Sequence, residues 1–227
     1  MYEEIRTAIE VASAVMCIIL LRFMIKPYEM TGENRYVGLP LGFGFLGATY
    51  VISALAYYIP RIFGPNTFYF QLVIRTFAFL FIAITYYFSK EITKNSRLLW
   101  KTTLTVLIAA SIISFLILSV PNIALPDYRT VRDYFRVLNL IIILYICIHT
   151  FRNYVKELHS KTIWLPLSFI FLLVSQYSIF LFQLDGGLHA FFAGLILRLV
   201  FLSILLFVSI EPFYRIKARY KVANDRT

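Results

Sequence analysis

Long apolar stretches and short polar segments alternate along the whole chain. Seven of the apolar stretches are long enough to cross the ~30 Å hydrocarbon layer of a bilayer, which takes about 20 residues of α-helix. None of them shows the strict apolar–polar alternation of a membrane β-strand. The pattern therefore predicts seven membrane-spanning helices, near residues 5–25, 38–59, 67–88, 101–120, 135–154, 162–183 and 188–210.

The amino-acid composition favours the same class of protein. Of the 227 residues, 60% are hydrophobic, whereas soluble domains are nearer half apolar. The segments between the predicted helices are short, so we expect one domain rather than several. The prediction is an all-α integral membrane protein, multi-pass in the cell membrane, with a transmembrane domain over residues 1–211 and a basic tail over residues 212–227.

The distribution of charge predicts the orientation of the chain. The segments on the side of the amino terminus carry five basic residues: Arg6, Arg61, Arg129, Arg132 and Arg136. The segments on the opposite side carry fifteen, including all eight lysines. Because basic residues in short loops favour the cytoplasm, we expect the amino terminus outside and the carboxyl terminus in the cytoplasm. There the basic tail would meet anionic lipid headgroups, and we expect no nucleic-acid partner despite the net charge of +10.

A short motif occurs twice in the chain. Leu39–Leu46 and Leu165–Leu172 are identical at six of eight positions, at an offset of 126 residues. At an offset of 123 residues, Arg75 aligns with Arg198. These matches predict a duplicated three-helix unit in a 3+1+3 arrangement. Both units begin on the same membrane face, so the internal repeat is parallel. Its parts are repeat A at about 5–88, a linker helix at about 101–120 and repeat B at about 135–210.

Two arginines and one acid interrupt the apolar helices. Arg75 and Arg198 lie about nine and eleven residues into the third and seventh predicted helices, which is near mid-membrane at ~1.5 Å per residue. Glu10 is the only acid well inside a predicted helix. An arginine at the centre of a membrane helix costs about 2.5–3.5 kcal/mol, so such residues face the bundle interior and are functional candidates.

These residues predict a polar pocket at the centre of the bundle, open toward the outside. Guanidinium groups bind carboxylate and phosphate through paired hydrogen bonds, so the expected ligand is a small anion or an anionic, lipid-like molecule. The alternative is that Glu10 and the arginines neutralise one another and only fix the packing of the helices. The predicted ligand-binding residues are Arg75, Arg198, Glu10, Gln176, Tyr50 and Asn139.

No motif predicts catalysis, a metal site or a cofactor. The sequence lacks a nucleophile elbow, a glycine-rich phosphate loop and a paired-histidine zinc motif. His149 and His189 lie in predicted helices but differ in depth by roughly 15–20 Å at the helical rise, so they cannot be the axial ligands of one haem. We therefore expect a protein that is not an enzyme and that has no cofactor.

Seven helices, an outer amino terminus and a parallel 3+1+3 repeat together resemble the broad superfamily of rhodopsin-like receptors and small sugar carriers. The stretch from His189 to Arg198 also looks like uncharacterised archaeal seven-helix, sensor-like proteins. Two features depart from these groups. The helix near 188–210 has no lysine for a retinal Schiff base, and no proline is followed by glutamine, as it is in the sugar carriers.

The sequence leaves three functions open. The first is a receptor-like or sensor-like module that binds its ligand in the central pocket and signals through a partner protein or a second copy at the cytoplasmic loops. The second is a small transporter of the 3+1+3 kind. The third is an accessory structural subunit of a larger membrane complex.

Overall fold

Seven α-helices and no β-strand make up the part of the chain that the computed structural model describes, the backbone of residues 2–31, 37–58, 66–88, 94–120, 125–156 and 163–224. All seven are long and apolar enough to cross a membrane. The protein is therefore a seven-helix, multi-pass membrane protein, as predicted. The helices are α1 (Tyr2–Thr31), α2 (Gly38–Tyr58), α3 (Asn66–Phe88), α4 (Lys94–Ser119), α5 (Tyr128–Lys156), α6 (Trp164–Asp185) and α7 (Leu188–Asn224).

The bounds of α2, α3 and α6 lie within two residues of the prediction, but α5 begins at Tyr128 rather than near residue 135. The residues that follow Tyr128 are polar and lower the hydropathy, although they are helical. Asp127 caps this helix, because its carboxylate accepts a hydrogen bond from the backbone N–H of Thr130 at 3.2 Å. Arg136 therefore lies well inside a helix and not in a connecting segment, and α7 likewise runs on to Asn224, into the predicted tail.

Four of the helices begin on the same face of the bundle. The connections between successive helices are two to eight residues long, so the chain reverses direction at each of them. Near the starts of α3 and α5, the Tyr69 hydroxyl donates a hydrogen bond to the carbonyl oxygen of Pro126 at 2.6 Å. Near the starts of α1 and α7, the Arg6 guanidinium lies 5.7 Å from the ring centroid of Phe191. We call the face at which α1, α3, α5 and α7 begin the amino-terminal face, and the other the opposite face.

Six of the helices form a closed ring. Neighbours in the ring are, in order, α1, α2, α3, α5, α6 and α7, and α7 packs back against α1. Across the ring, α1 is therefore opposite α5, α2 is opposite α6, and α3 is opposite α7. Helix α4 lies outside the ring against α3, and most of its described side chains face the lipid.

The interior of the ring has two layers. Toward the opposite face lies an apolar layer, a closely packed core to which all six ring helices contribute. Toward the amino-terminal face lies a polar layer, which contains the candidate site. The fully buried side chains of the apolar layer include Cys17, Leu20, Phe43, Leu46, Phe79, Ile82, Ile143, Ile146, Phe169, Leu172 and Phe201.

The packing of α6 against α7 depends on a glycine. A methyl group on Gly194 would lie 2.6 Å from Cγ1 of Ile179 and 3.0 Å from the carbonyl oxygen of Ser175. We expect Gly194→Ala to lower the free energy of unfolding by about 1–3 kcal/mol, the range for overpacked sites, as measured by thermal unfolding in detergent. Gly187→Ala is the matched control, because nothing lies within 4 Å of its added methyl group. Equal unfolding temperatures for the two variants would contradict this close packing.

Candidate functional site

The polar layer brings charged side chains from four helices to one depth. Glu10, Arg75, Arg136 and Arg198 lie eight to ten residues beyond the first residue of their helices, which is ~12–15 Å along the helix axis. Because all four helices begin at the amino-terminal face, these side chains share a level in the bundle. The buried uncharged members of the layer are Thr7, Ser13, Thr49, Thr76, Asn139, Ser175 and Gln176.

Glu10 and Arg198 form a buried ion pair between α1 and α7. The Nη1 of Arg198 donates a hydrogen bond to Oε1 of Glu10 at 3.3 Å, and Nη2 lies 3.1 Å from Oε2 in a second ionic contact. Glu10 is 5% exposed and Arg198 is 2% exposed. Each group neutralises the other. This geometry fits the alternative interpretation of the sequence, in which Glu10 and an arginine fix the packing of the helices.

A third helix reaches the same guanidinium group. The Cζ of Arg198 lies 4.3 Å from the ring centroid of Tyr50 on α2, within the range of a cation–π attraction. On α1, the hydroxyls of Thr7 and Ser13 lie about one turn before and after Glu10, and each donates a hydrogen bond to a carbonyl oxygen of its own helix. The Glu10 carboxylate is thus left to Arg198.

Arg75 lacks such a partner. It lies on α3, across the ring from α7, and its side chain is half-buried. Its Nε atom is buried and has no hydrogen-bond partner, and the described part of the chain offers it no carboxylate. Its electrostatic neighbours include Tyr50 and Arg136, and Arg136 adds to the positive charge of Arg75 rather than balancing it.

Arg136 is a member of the site that sequence reasoning missed. The sequence places it at the very start of the fifth predicted helix and counts it with the basic residues on the side of the amino terminus, whereas the start of α5 at Tyr128 places it in the polar layer. Its Nη1 donates a hydrogen bond to the carbonyl oxygen of Ile179 on α6 at 3.0 Å, and it lies within electrostatic range of Arg75, Arg132 and Asp133. The signal that could have found it is Asp127, a favoured capping residue directly before Tyr128.

The seam between α3 and α5 therefore carries unbalanced positive charge. One of its cations is neutralised, because the Nε of Arg132 lies 3.0 Å from Oδ1 of Asp133. Arg75 and Arg136 remain without a carboxylate in contact among the described residues. This seam, unlike the one between α7 and α1, has the chemistry to hold an anion.

The remaining predicted residues lie near Arg136. Asn139 is buried one turn deeper on α5, and its Oδ1 has no hydrogen-bond partner. Gln176 is buried on α6, one turn from Ile179, whose carbonyl accepts the bond from Arg136. Of the six predicted residues, direct contacts join Glu10, Arg198 and Tyr50, whereas no described hydrogen bond or ion pair links those three to Arg75, Asn139 or Gln176.

Neither a metal-binding cluster nor a known relative identifies the chemistry of the layer. Within the described residues, no three or more His, Cys, Asp and Glu side chains are grouped so that they could hold a metal ion. No protein family, curated protein or solved structure matches the chain. The interpretation of the site therefore depends on its geometry.

The buried ion pair makes a direct prediction for stability. Removing either charge strands the other in the bundle, so we expect Glu10→Gln and Arg198→Gln each to lower the free energy of unfolding by about 3–5 kcal/mol. The double variant strands no charge and is expected to lose less than the sum of the two single losses. Thermal unfolding in detergent measures this, with Arg129→Gln, an exposed arginine, as the control. Strictly additive losses would contradict a direct pair.

Proposed function

We propose that the protein is a receptor-like or sensor-like membrane module that binds a small anionic or lipid-like ligand in its polar layer. The observation that carries the proposal is Arg75, a guanidinium inside the bundle for which the described part of the chain supplies no carboxylate. We propose no enzyme activity for this module. A partner protein or a second copy at the opposite face would receive the signal.

Charge balance supports an anionic ligand. Around the polar layer, Arg198 is neutralised by Glu10 and Arg132 by Asp133. Arg75 and Arg136 are left, and an uncompensated arginine at this depth costs about 2.5–3.5 kcal/mol on insertion scales. An oxyanion relieves that cost and accepts paired hydrogen bonds from a guanidinium.

The layering of the bundle favours a receptor over a conduit. The apolar layer closes the ring between the polar layer and the opposite face, and its central side chains are fully buried. A ligand would therefore have no path through the bundle to the opposite face and would reach the polar layer from the amino-terminal face. With the orientation expected from the charge distribution, that face is outside the cell, in the cell membrane.

The ring order supports the proposed 3+1+3 repeat and, through it, the resemblance to rhodopsin-like receptors and small sugar carriers. Each helix of the first unit is opposite its proposed counterpart in the second, as a two-fold axis along the membrane normal requires. The two copies of the repeated motif, Leu39–Leu46 and Leu165–Leu172, lie in α2 and α6. Helix α4, outside the ring, has the position of a linker.

The test of ligand binding is a thermal-shift screen on the purified protein. The probes are acetate, citrate, inorganic phosphate and phosphatidylglycerol, at matched ionic strength. We expect at least one probe to raise the unfolding temperature of the wild type and to have little effect on Arg75→Gln, because the free guanidinium is gone. Arg129→Gln should respond like the wild type. If Arg75→Gln responds fully to every active probe, the proposed site is wrong.

A small transporter is the second candidate, favoured by the six-helix ring with its proposed parallel repeat. Flux of the active anion into proteoliposomes distinguishes the two. We expect uptake no greater than that of protein-free liposomes, because the apolar layer closes the bundle below the site. Uptake that disappears in Arg75→Gln would instead assign transport.

A further inference from the structure

The ring has two seams at which its first three helices meet its last three, one between α7 and α1 and one between α3 and α5. At the first seam, Arg198 of α7 meets Glu10 of α1. At the second, Arg75 of α3 and Arg136 of α5 lie eight to nine residues into two helices that pack against each other, within electrostatic range of one another. In both seams the helices are parallel and the two side chains lie at the same depth.

The sequence register relates the two seams position by position. The offset of 126 residues that aligns the repeated motif carries Glu10 onto Arg136, and the offset of 123 carries Arg198 onto Arg75. Ring position and depth give the same correspondence independently. The seam between α3 and α5 is thus the counterpart of the ion-paired seam, with an arginine where the other seam has its carboxylate.

We propose that the seam between α3 and α5 is a binding site for a phosphate group, held between Arg75 and Arg136, whose negative charge does what the Glu10 carboxylate does for Arg198 at the other seam. This inference rests on the proposed function, to which it adds a second ligand-binding arginine and a ligand class. The phosphate carries no second ester bond, so it is either free inorganic phosphate or the monoester headgroup of a lipid such as phosphatidic acid.

The charge of the seam selects phosphate over a simple carboxylate. Arg132 is already paired with Asp133, so Arg75 and Arg136 leave two positive charges. A phosphate monoester carries about −1.5 to −2 at pH 7, whereas a carboxylate carries one negative charge. The oxygens of a phosphate also accept hydrogen bonds from two guanidinium groups on different helices.

The two seams also differ in access. Glu10 and Arg198 are buried, whereas Arg75 and Arg136 are half-buried. The ion-paired seam is therefore closed, while the arginine seam retains the accessibility that an exchanging ligand needs.

The test replaces the proposed phosphate with a carboxylate of the chain itself. Arg136→Glu should form an ion pair with Arg75, like the pair between Glu10 and Arg198 at the other seam. We therefore expect this variant to have a higher unfolding temperature than the wild type without phosphate and to show no further rise with phosphate. In the wild type, phosphate at about 100 times its Kd should raise the unfolding temperature by roughly 5–10 °C. Arg136→Gln should bind phosphate at least about tenfold more weakly than the wild type. This variant tests the proposal even if Arg136→Glu does not fold.

Two controls separate a local pair from a change in overall charge. Arg129→Glu makes the same charge change at an exposed position in the first turn of α5 and should leave phosphate binding unchanged. In Arg75→Gln/Arg136→Glu the new carboxylate has no partner, so the gain in unfolding temperature should vanish. Nanodiscs with phosphatidic acid, compared with phosphatidylcholine nanodiscs with and without inorganic phosphate, identify the source, because the phosphate of phosphatidylcholine is a diester with a single negative charge.

The outcomes are distinct. A wild type that responds to neither phosphate source, or an Arg136→Gln variant that binds phosphate as tightly as the wild type, overturns the inference. If anions stabilise the wild type through Arg75 but Arg136→Gln is without effect, the inference fails and the proposed function stands. If Arg75→Gln is also without effect, both fail.

Discussion

The ion pair between Glu10 and Arg198 is the constraint on which the arrangement of the ring depends. Each group would be costly alone in the bundle, and the two together require α1 and α7 to be neighbours at one fixed depth. Tyr50, packed under the guanidinium, extends the constraint to α2. Because burying both charges also has a large desolvation cost, the pair specifies which helices meet more than it adds net stability.

Much of the fold could be predicted from hydropathy, because each helix must satisfy its backbone within the segment and present apolar side chains to lipid. The partner of Glu10 could not. Arg75 and Arg198 lie at similar depth, so hydropathy leaves both as possible partners of Glu10, and the structure brings α7 rather than α3 to α1. Arg136 was missed for a different reason, since the polar first turns of α5 hide the start of that helix from a hydropathy criterion.

The two halves of the polar layer have different electrostatic character, although they occupy equivalent places in the ring. One is closed by a carboxylate of the chain itself, and the other leaves two arginines without one. On the proposed function, the first seam is the fixed side of the module and the second is the side whose packing responds to an anion. A ligand that binds one arrangement of α3 and α5 more tightly than another would shift the population toward the first. The size of the shift is set by the difference between the two affinities.

The ion pair also joins residues that are 188 positions apart in the sequence. A chain that is synthesised from its amino terminus contains Glu10 from the start, but it contains Arg198 only after six other helices have been made. Throughout that interval α1 holds a carboxylate whose native partner does not yet exist. The ring therefore cannot close through this pair before α7 has been made, and a chain that stops before α7 retains a Glu10 carboxyl without its partner.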